Sequence, residues 1–524
     1  MSGTQQDDRP TIGPLLGLLG VLIAAVLAGL NSQVTALALT DVRGGLGISS
    51  DPGTWLESLY ISSEAVGMVL SAWLLVTFSL RRFTLFVIAF NCLATVLIPL
   101  AADIDLLYTL RSAQGLAGGL TIPLLMTAAL RITSPSIRLY GLAVYALTAT
   151  VTPGVAATLA ALWTEIVGWR FVFFEAVPFC ALAGVLAWYG LPQDPPRYER
   201  FRMFDWRGAL LAVVGFASLT TMLQQGDRLD WFNSRPICVL ALLSAVSIPL
   251  LLVNEWFHPL PLLKLQMLSR RNFLYGVVAL FLLLVIGLSA GKIPLSYLRE
   301  IQGYRQIQSY PVILEIALLQ LVMLPLVAFV LDFAWVDARV VSAAGLGCIL
   351  IACLGCSTIT PTWNRGQFYL WQFLQGIGQP LLIVPLLMIA TNSVTPQEGP
   401  FASALVNTPR ALAEATSVWL FQLIMRWRGG LHTDRLLDAV GQSRFRVIQA
   451  KALLPNHLPP LLPSGRPRAP GSLDHFAGEI ARQASVLSFG DAFLIIAALT
   501  IGLMIVLLVL PVRTRPPRIQ LARK

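Results

Sequence analysis

The sequence predicts an all-α integral membrane protein with about 14 transmembrane helices, arranged as two related six-helix halves plus two inserted helices. Three observations predict this class. Hydrophobic residues make up 56% of the 524 residues and charged residues only 12%, which is about half the charged share of a soluble domain. Apolar runs longer than the roughly 18 residues that cross a bilayer recur along the chain. Two stretches from the first part of the sequence recur, in the same order, in the last part.

Fourteen apolar runs are long enough to be transmembrane helices. They lie at about 14–40, 54–77, 82–101, 106–130, 138–164, 168–192, 207–225, 236–256, 272–296, 310–332, 339–359, 367–392, 401–426 and 490–512. Of the arginine and lysine residues in short loops, most lie on one side of these spans, including Arg81, Arg82, Arg131 and Arg138. Because basic loops stay in the cytoplasm, both termini are expected there. The first run is too long for the core of a signal peptide and is expected to remain a membrane helix.

The stretch from about 427 to 489 separates the last two spans. It is basic, yet the order of the spans puts it on the outer side. The charge rule applies to short loops and does not bind a segment of this length. We therefore expect a long periplasmic loop at this place.

Two pairs of similar stretches indicate a duplicated structure. "AQGLAGGLTIPLLMTA" at 113–128 matches "LQGIGQPLLIVPLLMIA" at 374–390, and "TPGVAATLAALW" at 152–163 matches "TPRALAEATSVW" at 408–419. The first pair falls on spans 4 and 12, and the second pair on spans 5 and 13. Chance is the weaker explanation because both pairs keep the same order.

This duplication predicts the domain organisation. We expect an N-terminal six-helix half at 1–200, two inserted helices at 201–260 and a C-terminal six-helix half at 261–524. Parallel halves of this kind are a transporter architecture, in which the substrate site lies between the halves near the middle of the membrane.

Several other function classes lack support in the sequence. The net charge of +10 comes from basic residues in short loops and tails, which is a topology signal, so no nucleic acid is expected as a partner. Cys348, Cys353 and Cys356 lack the spacing of zinc ligands, and no histidine lies deep in a span, so no metal site is expected. Neither a nucleophile–base constellation nor a complete phosphate-binding loop is present, so we expect no enzyme activity and no cofactor.

Four stretches, three of which overlap the repeats, carry a resemblance to a known family. They are "NSQVTALALTDV" on span 1, "LRSAQGLAGGLTIP" on span 4, "TPGVAATLAA" on span 5 and "NTPRALAEA" on span 13. In this order they resemble the major facilitator superfamily, and most closely its 14-helix drug:proton antiporter branch, the EmrB-like multidrug exporters. The resemblance covers nearly the whole chain.

This resemblance implies a function and a location. It implies a secondary exporter of lipophilic or amphipathic drugs and toxic compounds, coupled to proton antiport and working by alternating access. It places the chain in the bacterial inner membrane, with a periplasmic adaptor and an outer-membrane channel as partners. Two other functions stay open: a dedicated exporter of one endogenous metabolite, such as a siderophore or an aromatic acid, and a non-transporting membrane sensor built on a transporter fold.

Three residues are candidates for proton coupling, since an ionisable group inside a bilayer is costly and is a functional candidate by default. Arg111 matches the arginine of the family's span-4 motif "LxxxRxxQG", which the resemblance ties to coupling. The family usually supplies an aspartate on span 1, but Asn31 stands there in this sequence. Because an amide cannot titrate, Glu64 on span 2 is the best candidate for the proton carrier. A carboxylate that only binds polar or cationic substrate groups is the alternative for Glu64.

Five other residues are candidates for the substrate cavity. Arg410 and Glu414 are four residues apart on span 13, where they could form an ion pair on one helix face or take part in coupling or substrate binding. Gln114 and Gln375 open the two copies of the first repeat, and buried glutamines need hydrogen-bond partners. Glu315 lies within span 10 and has no obvious partner in the sequence.

Two structural motifs of the family are only partly present. The span-5 motif "GxxxGPxxGG" keeps Pro153 and Gly154, while alanine replaces its other glycines. A helix of this kind packs closely against its neighbours.

The loop after span 2 reads "GxLaDrxGr" in the family and normally latches the cytoplasmic side. Here Val76 replaces the aspartate, and only Arg81 and Arg82 remain of its charges. Asp337 and Arg339, after span 10, are candidates for an equivalent latch in the second half.

Overall fold

All regular elements in the computed structural model are helices within residues 12–442 and 472–517, the ranges that the structure describes. The long helices are α1 (Ile12–Leu37), α2 (Ser50–Phe78), α3 (Leu80–Leu97), α4 (Ile104–Ile132), α5 (Arg138–Thr150 and Thr152–Leu162), α6 (Ala176–Gly190), α7 (Trp206–Gln225), α8 (Arg235–Phe257), α9 (Arg271–Ile286 and Lys292–Glu300), α10 (Pro311–Leu331), α11 (Ala338–Cys356), α12 (Arg365–Thr391), α13 (Gly399–Gln442) and α14 (Ser472–Val509). Shorter helical segments are Leu39–Leu46, Ile98–Leu100, Trp163–Val167, Phe171–Phe174, Tyr198–Met203, Trp231–Asn233, Leu265–Ser269, Gly287–Ser289, Gln306–Ser309 and Pro396–Glu398.

Several long helices begin at a side chain that caps the first turn. Asp103 accepts a hydrogen bond from the Leu106 amide at the start of α4, at 2.7 Å, and Asp205 does the same for the Gly208 amide of α7, at 2.8 Å. Asn364 and Gln367 form a reciprocal capping box on α12. Such caps satisfy backbone groups that the helix leaves unpaired, which fixes where each helix starts.

The helices of the described ranges account for the predicted membrane spans. Twelve are long and apolar enough to cross a membrane, and thirteen are if the bent pair of α5 counts as one span. The remaining predicted span, 401–426, lies within α13, and it is less apolar because it holds Arg410, Glu414 and several uncharged polar residues. The predicted all-α membrane class is therefore confirmed.

The segment between the last two spans is more helical than predicted. α13 continues for 44 residues to Gln442, and α14 begins at Ser472 and runs for 38 residues. Both helices thus extend into the predicted loop at 427–489. Residues 443–471 of that loop lie outside the described ranges, as do residues 1–11 and 518–524 at the termini.

Interhelical contacts define two faces of the bundle. The basic face holds the α2–α3, α4–α5, α6–α7, α8–α9, α10–α11 and α12–α13 connections. Arg131 at the end of α4 pairs there with Asp194 in the α6–α7 connection, at 2.5 Å. At the opposite face, Gln306 before α10 donates to the Leu37 carbonyl oxygen at the end of α1, at 3.0 Å. Helices α1–α6 and α9–α14 form the two halves, and the exact boundaries at 200 and 260 stay predictions.

The glycines of the first repeat bring helices into close contact. A Cβ atom at Gly115 would overlap the Tyr60 carbonyl oxygen of α2, and one at Gly119 would overlap the Glu64 carbonyl oxygen. In the second half, Gly378 of α12 lies against Gly345 of α11, where an added Cβ would come within 2.8 Å of the carbonyl oxygen. The repeat therefore works in both halves as a small-residue packing surface, as is common for membrane helices.

Of the two inserted helices, α7 lies against the seam between the halves, and α8 packs on α7. α7 packs on α2 and on α13. Nε2 of Gln225 on α7 donates to Oγ of Ser58 on α2, at 2.6 Å. Beyond α7, Arg426 of α13 pairs with Asp227 at 3.1 Å and with Asp230 at 3.0 Å. The insertion thus contacts both halves on one side of the molecule.

The span-5 motif lies at the other seam. α5 bends by 41° where its two helical segments join, next to Pro153. A Cβ at Gly154 would come within 2.9 Å of the Ile313 carbonyl oxygen of α10. Gly154 therefore permits α5 and α10 to approach closely across the halves.

The candidate latch residues make local contacts at the basic face. Arg81 lies over the ring of Trp188 on α6, 4.7 Å from the centroid, and Arg82 is exposed. Asp337 caps α11 through the Arg339 amide, and Nη2 of Arg339 lies 2.9 Å from its carboxylate. These pairs lie within one half each, so they do not bridge the two halves.

The basic face also holds a cluster of ion pairs around Glu398 that was not predicted from the sequence. The carboxylate of Glu398 contacts Arg270 and Lys264, each at 2.8 Å. Hydrogen bonds from Arg270, then from Lys264 and Thr395, hold the pKa of Glu398 well below its ordinary value of 4.5. This cluster fastens the α8–α9 connection to the start of α13.

We expect Gly119→Ala to lower the thermal midpoint of the purified protein, because overpacking a tight contact costs about 1–3 kcal/mol. Gly184→Ala on α6 is the matched control, since an added Cβ there meets nothing within 4 Å. Differential scanning fluorimetry in detergent measures both. Equal midpoints for the two variants would contradict the close α2–α4 contact.

We expect Glu398→Gln to lower the thermal midpoint by a few degrees at neutral pH. The stabilisation by a carboxylate with a depressed pKa is complete above its ordinary pKa and is lost only as the pH falls through the depressed value. The difference in thermal midpoint between the variant and the parent protein should therefore stay constant from about pH 8 to about pH 5.5. Glu199→Gln, at an exposed position of the same face, is the control and should have no effect.

Candidate proton and substrate site

Polar side chains from both halves meet inside the bundle, where α1, α2 and α4 face α13. We call this set the central cluster. It consists of Ser32 on α1, Tyr60 and Glu64 on α2, Arg111 on α4, and Arg410 and Glu414 on α13. Three predicted sites, at Glu64, Arg111 and the Arg410–Glu414 pair, are thereby brought together.

Arg111 is 1% exposed, and its guanidinium is hydrogen-bonded to oxygens of three helices. Nε donates to the Leu56 carbonyl oxygen of α2 at 3.1 Å, and Nη1 donates to the Asn31 carbonyl oxygen of α1 at 3.0 Å and to Oε1 of Gln114. The guanidinium also lies over the ring of Tyr60, 4.4 Å from the centroid. Arg111 therefore joins α1, α2 and α4, and its hydrogen bonds go to uncharged oxygens.

Asn31 and Gln114 belong to a network inside the N-terminal half. Nδ2 of Asn31 donates to Oδ1 of Asn91 on α3 at 3.1 Å, and Nε2 of Gln114 donates to Oγ1 of Thr95 on α3 at 2.9 Å. Gln114 was expected to line the substrate cavity, but it is completely buried and these contacts hold α3 to α4. Asn31 supports Arg111 through its backbone carbonyl, a role that needs no titrating side chain.

Glu64 is 3% exposed, and its Oε2 has no hydrogen-bond partner in the described part of the chain. The charges that act on it most strongly are those of Glu414, then Arg410 and Arg111. A buried carboxylate without a fixed partner is costly as an anion. Glu64 is therefore the least compensated ionisable group of the central cluster.

Arg410 and Glu414 make separate contacts across the seam and form no ion pair with each other within the described residues. Arg410 donates to Oγ1 and to the carbonyl oxygen of Thr148 on α5, at 3.1 and 2.9 Å. Oε1 of Glu414 accepts from Oγ of Ser32 on α1, at 3.0 Å. The helical spacing suggested mutual neutralisation, but each side chain instead bridges to the other half.

Further hydrogen bonds cross the seam nearer the basic face. The hydroxyl of Tyr145 on α5 donates to Oδ1 of Asn407 on α13 at 2.6 Å. The hydroxyl of Ser403 donates to the Pro123 carbonyl oxygen of α4, at 2.6 Å. One face of α13 thus carries a row of polar contacts to the N-terminal half, and sequence reasoning found only the charged members of it.

Lys292 also lies close to α13, a position that the sequence did not predict. It lies directly after the break in α9, and its Nζ is 5.6 Å from the ring centroid of Phe421 on α13. Its charge also acts on Glu414. The break in α9 thus directs Lys292 towards α13.

The second copy of the repeat repeats the hydrogen bonding without the charge. Nε2 of Gln375 donates to Oγ of Ser289 at 2.9 Å and to Sγ of Cys353 on α11 at 3.8 Å. Gln372 occupies the position that corresponds to Arg111. It is 1% exposed, and neither of its polar atoms has a hydrogen-bond partner in the described ranges.

Glu315 stands apart from the central cluster. It is half-buried on α10, and no charged side chain acts on it. One carboxylate oxygen is buried without a hydrogen-bond partner among the described residues. Neither Glu315 nor Gln375 contacts the central cluster.

The sequence also matches a family model, that of the Major Facilitator Superfamily, over residues 21–417. The chain belongs to this superfamily. Superfamily members are transporters, so this assignment places the chain in a transporter class. Its position in the membrane as a multi-pass protein follows from the same assignment and from the apolar helices.

Relatives within the superfamily include named exporters. Multidrug export protein EmrB of Escherichia coli K12 is 26% identical over 441 residues, covering 83% of this chain and 85% of the relative. Probable multidrug resistance protein EmrY of the same organism is 25% identical over 497 residues, covering 94% and 95%. Fatty acid resistance protein FarB of Neisseria gonorrhoeae is 24% identical over 446 residues, covering 83% and 85%.

Solved structures of superfamily members share the fold. The proton:xylose symporter XylE aligns with a TM-score of 0.56 at 11% identity, covering 98% of this chain and all of the symporter chain. The human organic anion transporter MFSD10 aligns with a TM-score of 0.54 at 13% identity, covering 95% and 100%. At this level of identity the likeness concerns the fold.

We expect Arg111→Lys to lower the thermal midpoint strongly. A lysine ammonium is a point donor and cannot reach the carbonyls of both α1 and α2 as the guanidinium does, and a charge-assisted hydrogen bond contributes about 1.5–3 kcal/mol. Arg82→Lys, at an exposed position, is the control. An unchanged midpoint for Arg111→Lys would mean that the guanidinium does not hold the three helices together.

Proposed function

We propose that this chain is a secondary active exporter of lipophilic or amphipathic compounds, including drugs, and that it exchanges them for protons by alternating access. The superfamily assignment and the relatives named as multidrug exporters support export. Proton coupling rests on one observation. Glu64 of the N-terminal half is buried and Glu414 of the C-terminal half is half-buried in the central cluster at the seam, and the charge of Glu414 acts on Glu64.

A pair of carboxyl groups at this place has the properties of a proton carrier. Two negative charges close together in a low-dielectric interior repel each other, which favours a state in which the pair holds a proton. Because the two groups belong to different halves, relative motion of the halves changes their separation. Proton affinity then differs between the two conformations, which is the requirement for coupling.

The basic side chains of the central cluster limit the cost of the carboxylates. Arg410 reaches Thr148 across the seam, and its charge acts on Glu64. When the halves separate at this level, the Arg410–Thr148 and Tyr145–Asn407 contacts must break. Released Arg410 is then free to pair with a deprotonated carboxylate, which links the charge state of the cluster to the conformation.

Asn31 has a structural role in this proposal. The resemblance implies an aspartate at this position, and an asparagine cannot carry a proton. Here its amide binds Asn91 and its carbonyl binds Arg111. We assign Asn31 and Arg111 to the scaffold, and Glu64 with Glu414 to proton transfer.

The orientation and the partners belong to the same proposal. The basic face is the cytoplasmic face, because arginine and lysine concentrate in its short loops, so both termini are cytoplasmic in an inner membrane. The extended ends of α13 and α14 then point into the periplasm. A periplasmic adaptor and an outer-membrane channel complete the export path, in line with the resemblance to EmrB-like exporters.

The test is transport in proteoliposomes with an imposed pH gradient and a lipophilic fluorescent dye. We expect Glu64→Gln and Glu414→Gln each to reduce gradient-driven dye transport at least about tenfold, since each removes a proton-transfer group. Glu315→Gln is the matched control. It removes a membrane-embedded carboxyl that stands apart from the cluster and should leave transport unchanged.

Two outcomes would contradict the proposal. Full gradient-driven transport in the Glu64→Gln, Glu414→Gln double variant would exclude these carboxyls as carriers. Absence of any dye movement by the parent protein, with or without a gradient, would favour the sensor alternative.

A further inference from the structure

A cavity of about 640 Å³ opens between the two halves at the basic face. The N-terminal half contributes the end of α2, the end of α4, the start of α5 and the α6–α7 connection. The C-terminal half contributes the start of α13 at Gly399 and Gln397 before it. The cavity is separate from the central cluster, since none of the cluster residues lines it.

The cavity carries uncompensated positive charge. Three arginines line it, and one of them, Arg131, is neutralised by a two-point pair with Asp194, at 2.5 and 2.8 Å. Arg138 and Arg197 have no carboxylate partner of their own within the described chain, although the charge of Arg197 acts on Asp194. Nε of Arg138 is buried and lacks any hydrogen-bond partner there. Buried donors of this kind favour an anionic acceptor.

The backbone adds to this charge. α5 begins at Arg138 and α13 begins at Gly399, so the N-terminal ends of two long helices lie at the cavity. The first amide groups of a helix have no partner within the helix, and its dipole is positive at that end. The arginines of the N-terminal half and the helix start that each half contributes therefore attract a negatively charged ligand to the cavity.

The rest of the wall is apolar. Leu75, Val76, Leu80 and Leu130 line the cavity beside the arginines. Val76 stands where the resembling loop motif has an aspartate, so the wall contributes a hydrocarbon surface at that point and no negative charge. A hydrocarbon surface next to unpaired arginines suits a molecule that has both an anionic head and an apolar tail.

We propose that this cavity binds an amphipathic anion, with a carboxylate or phosphate head at Arg138 and Arg197 and a hydrocarbon tail along the leucine and valine wall. The inference rests on the proposed function, because it names amphipathic anions as a substrate class that enters at the cytoplasmic face. The same chemistry is offered by a free fatty-acid-like substrate and by an anionic lipid of the adjoining leaflet. A ligand held at Arg138 and at the start of α13 contacts both halves, so its occupancy depends on how far apart they are.

The experiment measures binding to the full-length protein in detergent. The probes are a fluorescent fatty acid and the fluorescent alcohol of the same chain length, which lacks the anionic head. We expect the parent protein to bind the acid more tightly than the alcohol. The Arg138→Gln, Arg197→Gln double variant should weaken binding of the acid roughly tenfold, because two charge-assisted contacts are lost, and should leave binding of the alcohol unchanged.

The controls separate the cavity from general basicity and from folding. Arg202→Gln removes an exposed arginine from the same α6–α7 connection that does not line the cavity, and it should bind the acid as the parent does. Arg197→Gln alone changes an exposed side chain and should weaken binding while leaving the thermal midpoint unchanged. Equal affinity of the parent for acid and alcohol, or unchanged affinity in the double variant, would overturn the proposal.

A second arm identifies the source of the anion. Phosphatidylglycerol is titrated against the bound fluorescent acid, and the same titration uses the uncharged lipid diacylglycerol. If phosphatidylglycerol displaces the fluorescent acid and diacylglycerol does not, the cavity also binds the headgroup of an anionic lipid. If neither lipid displaces the acid, the cavity binds free amphipathic anions. Displacement by both lipids equally would overturn a site for anions.

Measurements of binding and of transport distinguish a failure of the cavity assignment from a failure of the proposed function. Glu64→Gln should keep full binding of the fatty acid in the cavity while it loses gradient-driven dye transport. If the parent transports nothing but still binds the acid through Arg138 and Arg197, the proposed function fails and the cavity assignment stands. If transport is intact and binding does not depend on these arginines, the cavity assignment fails alone.

Discussion

The buried guanidinium of Arg111 is the constraint on which the N-terminal half depends. A permanent charge in the apolar interior must be surrounded by oxygen atoms, and the backbone carbonyls of Leu56 and Asn31 supply them. Those carbonyls belong to α2 and α1, so both helices are held at fixed heights against α4. The glycines at 115 and 119 make this possible, because only a helix without side chains there can approach α2 closely enough. Glu64, one turn beyond Tyr60 on α2, is thereby held at the seam.

Much of this fold could be predicted from the sequence, because hydropathy, charge in loops and internal repetition report directly on the bilayer. The duplicated phrase predicted two halves, and α2–α4 and α11–α12 pack through its glycines in the structure. The sequence also singled out Glu64, Arg111 and the charged residues of span 13, since charges within a membrane are few and costly, but it did not predict that they lie together. The phrase itself proved to be a packing surface, with Gln114 and Gln375 holding neighbouring helices.

The remainder depended on side-chain directions that spacing does not encode. Arg410 and Glu414 have the spacing of an ion pair, yet each reaches a different helix of the opposite half. Lys292 could not be placed because its direction depends on the break in α9. The uncharged contacts of Tyr145 with Asn407 and of Ser403 with Pro123 carry no sequence signature, since tyrosine, asparagine and serine are common in any helix. The cavity at the basic face could not be predicted either, because its residues come from many separate connections and helix ends.

α13 is one continuous helix of 44 residues, so a tilt at the seam also moves its far end. From Glu414 to its last described residue, Gln442, the helix extends about 42 Å at 1.5 Å per residue. A tilt of a few degrees about the seam, too small to change the central contacts greatly, displaces the far end by several ångströms. Under the proposed coupling, a change in the protonation of the central carboxyl groups would therefore move the far end of α13, and a protein bound to that end would either sense the transport cycle or hold it still.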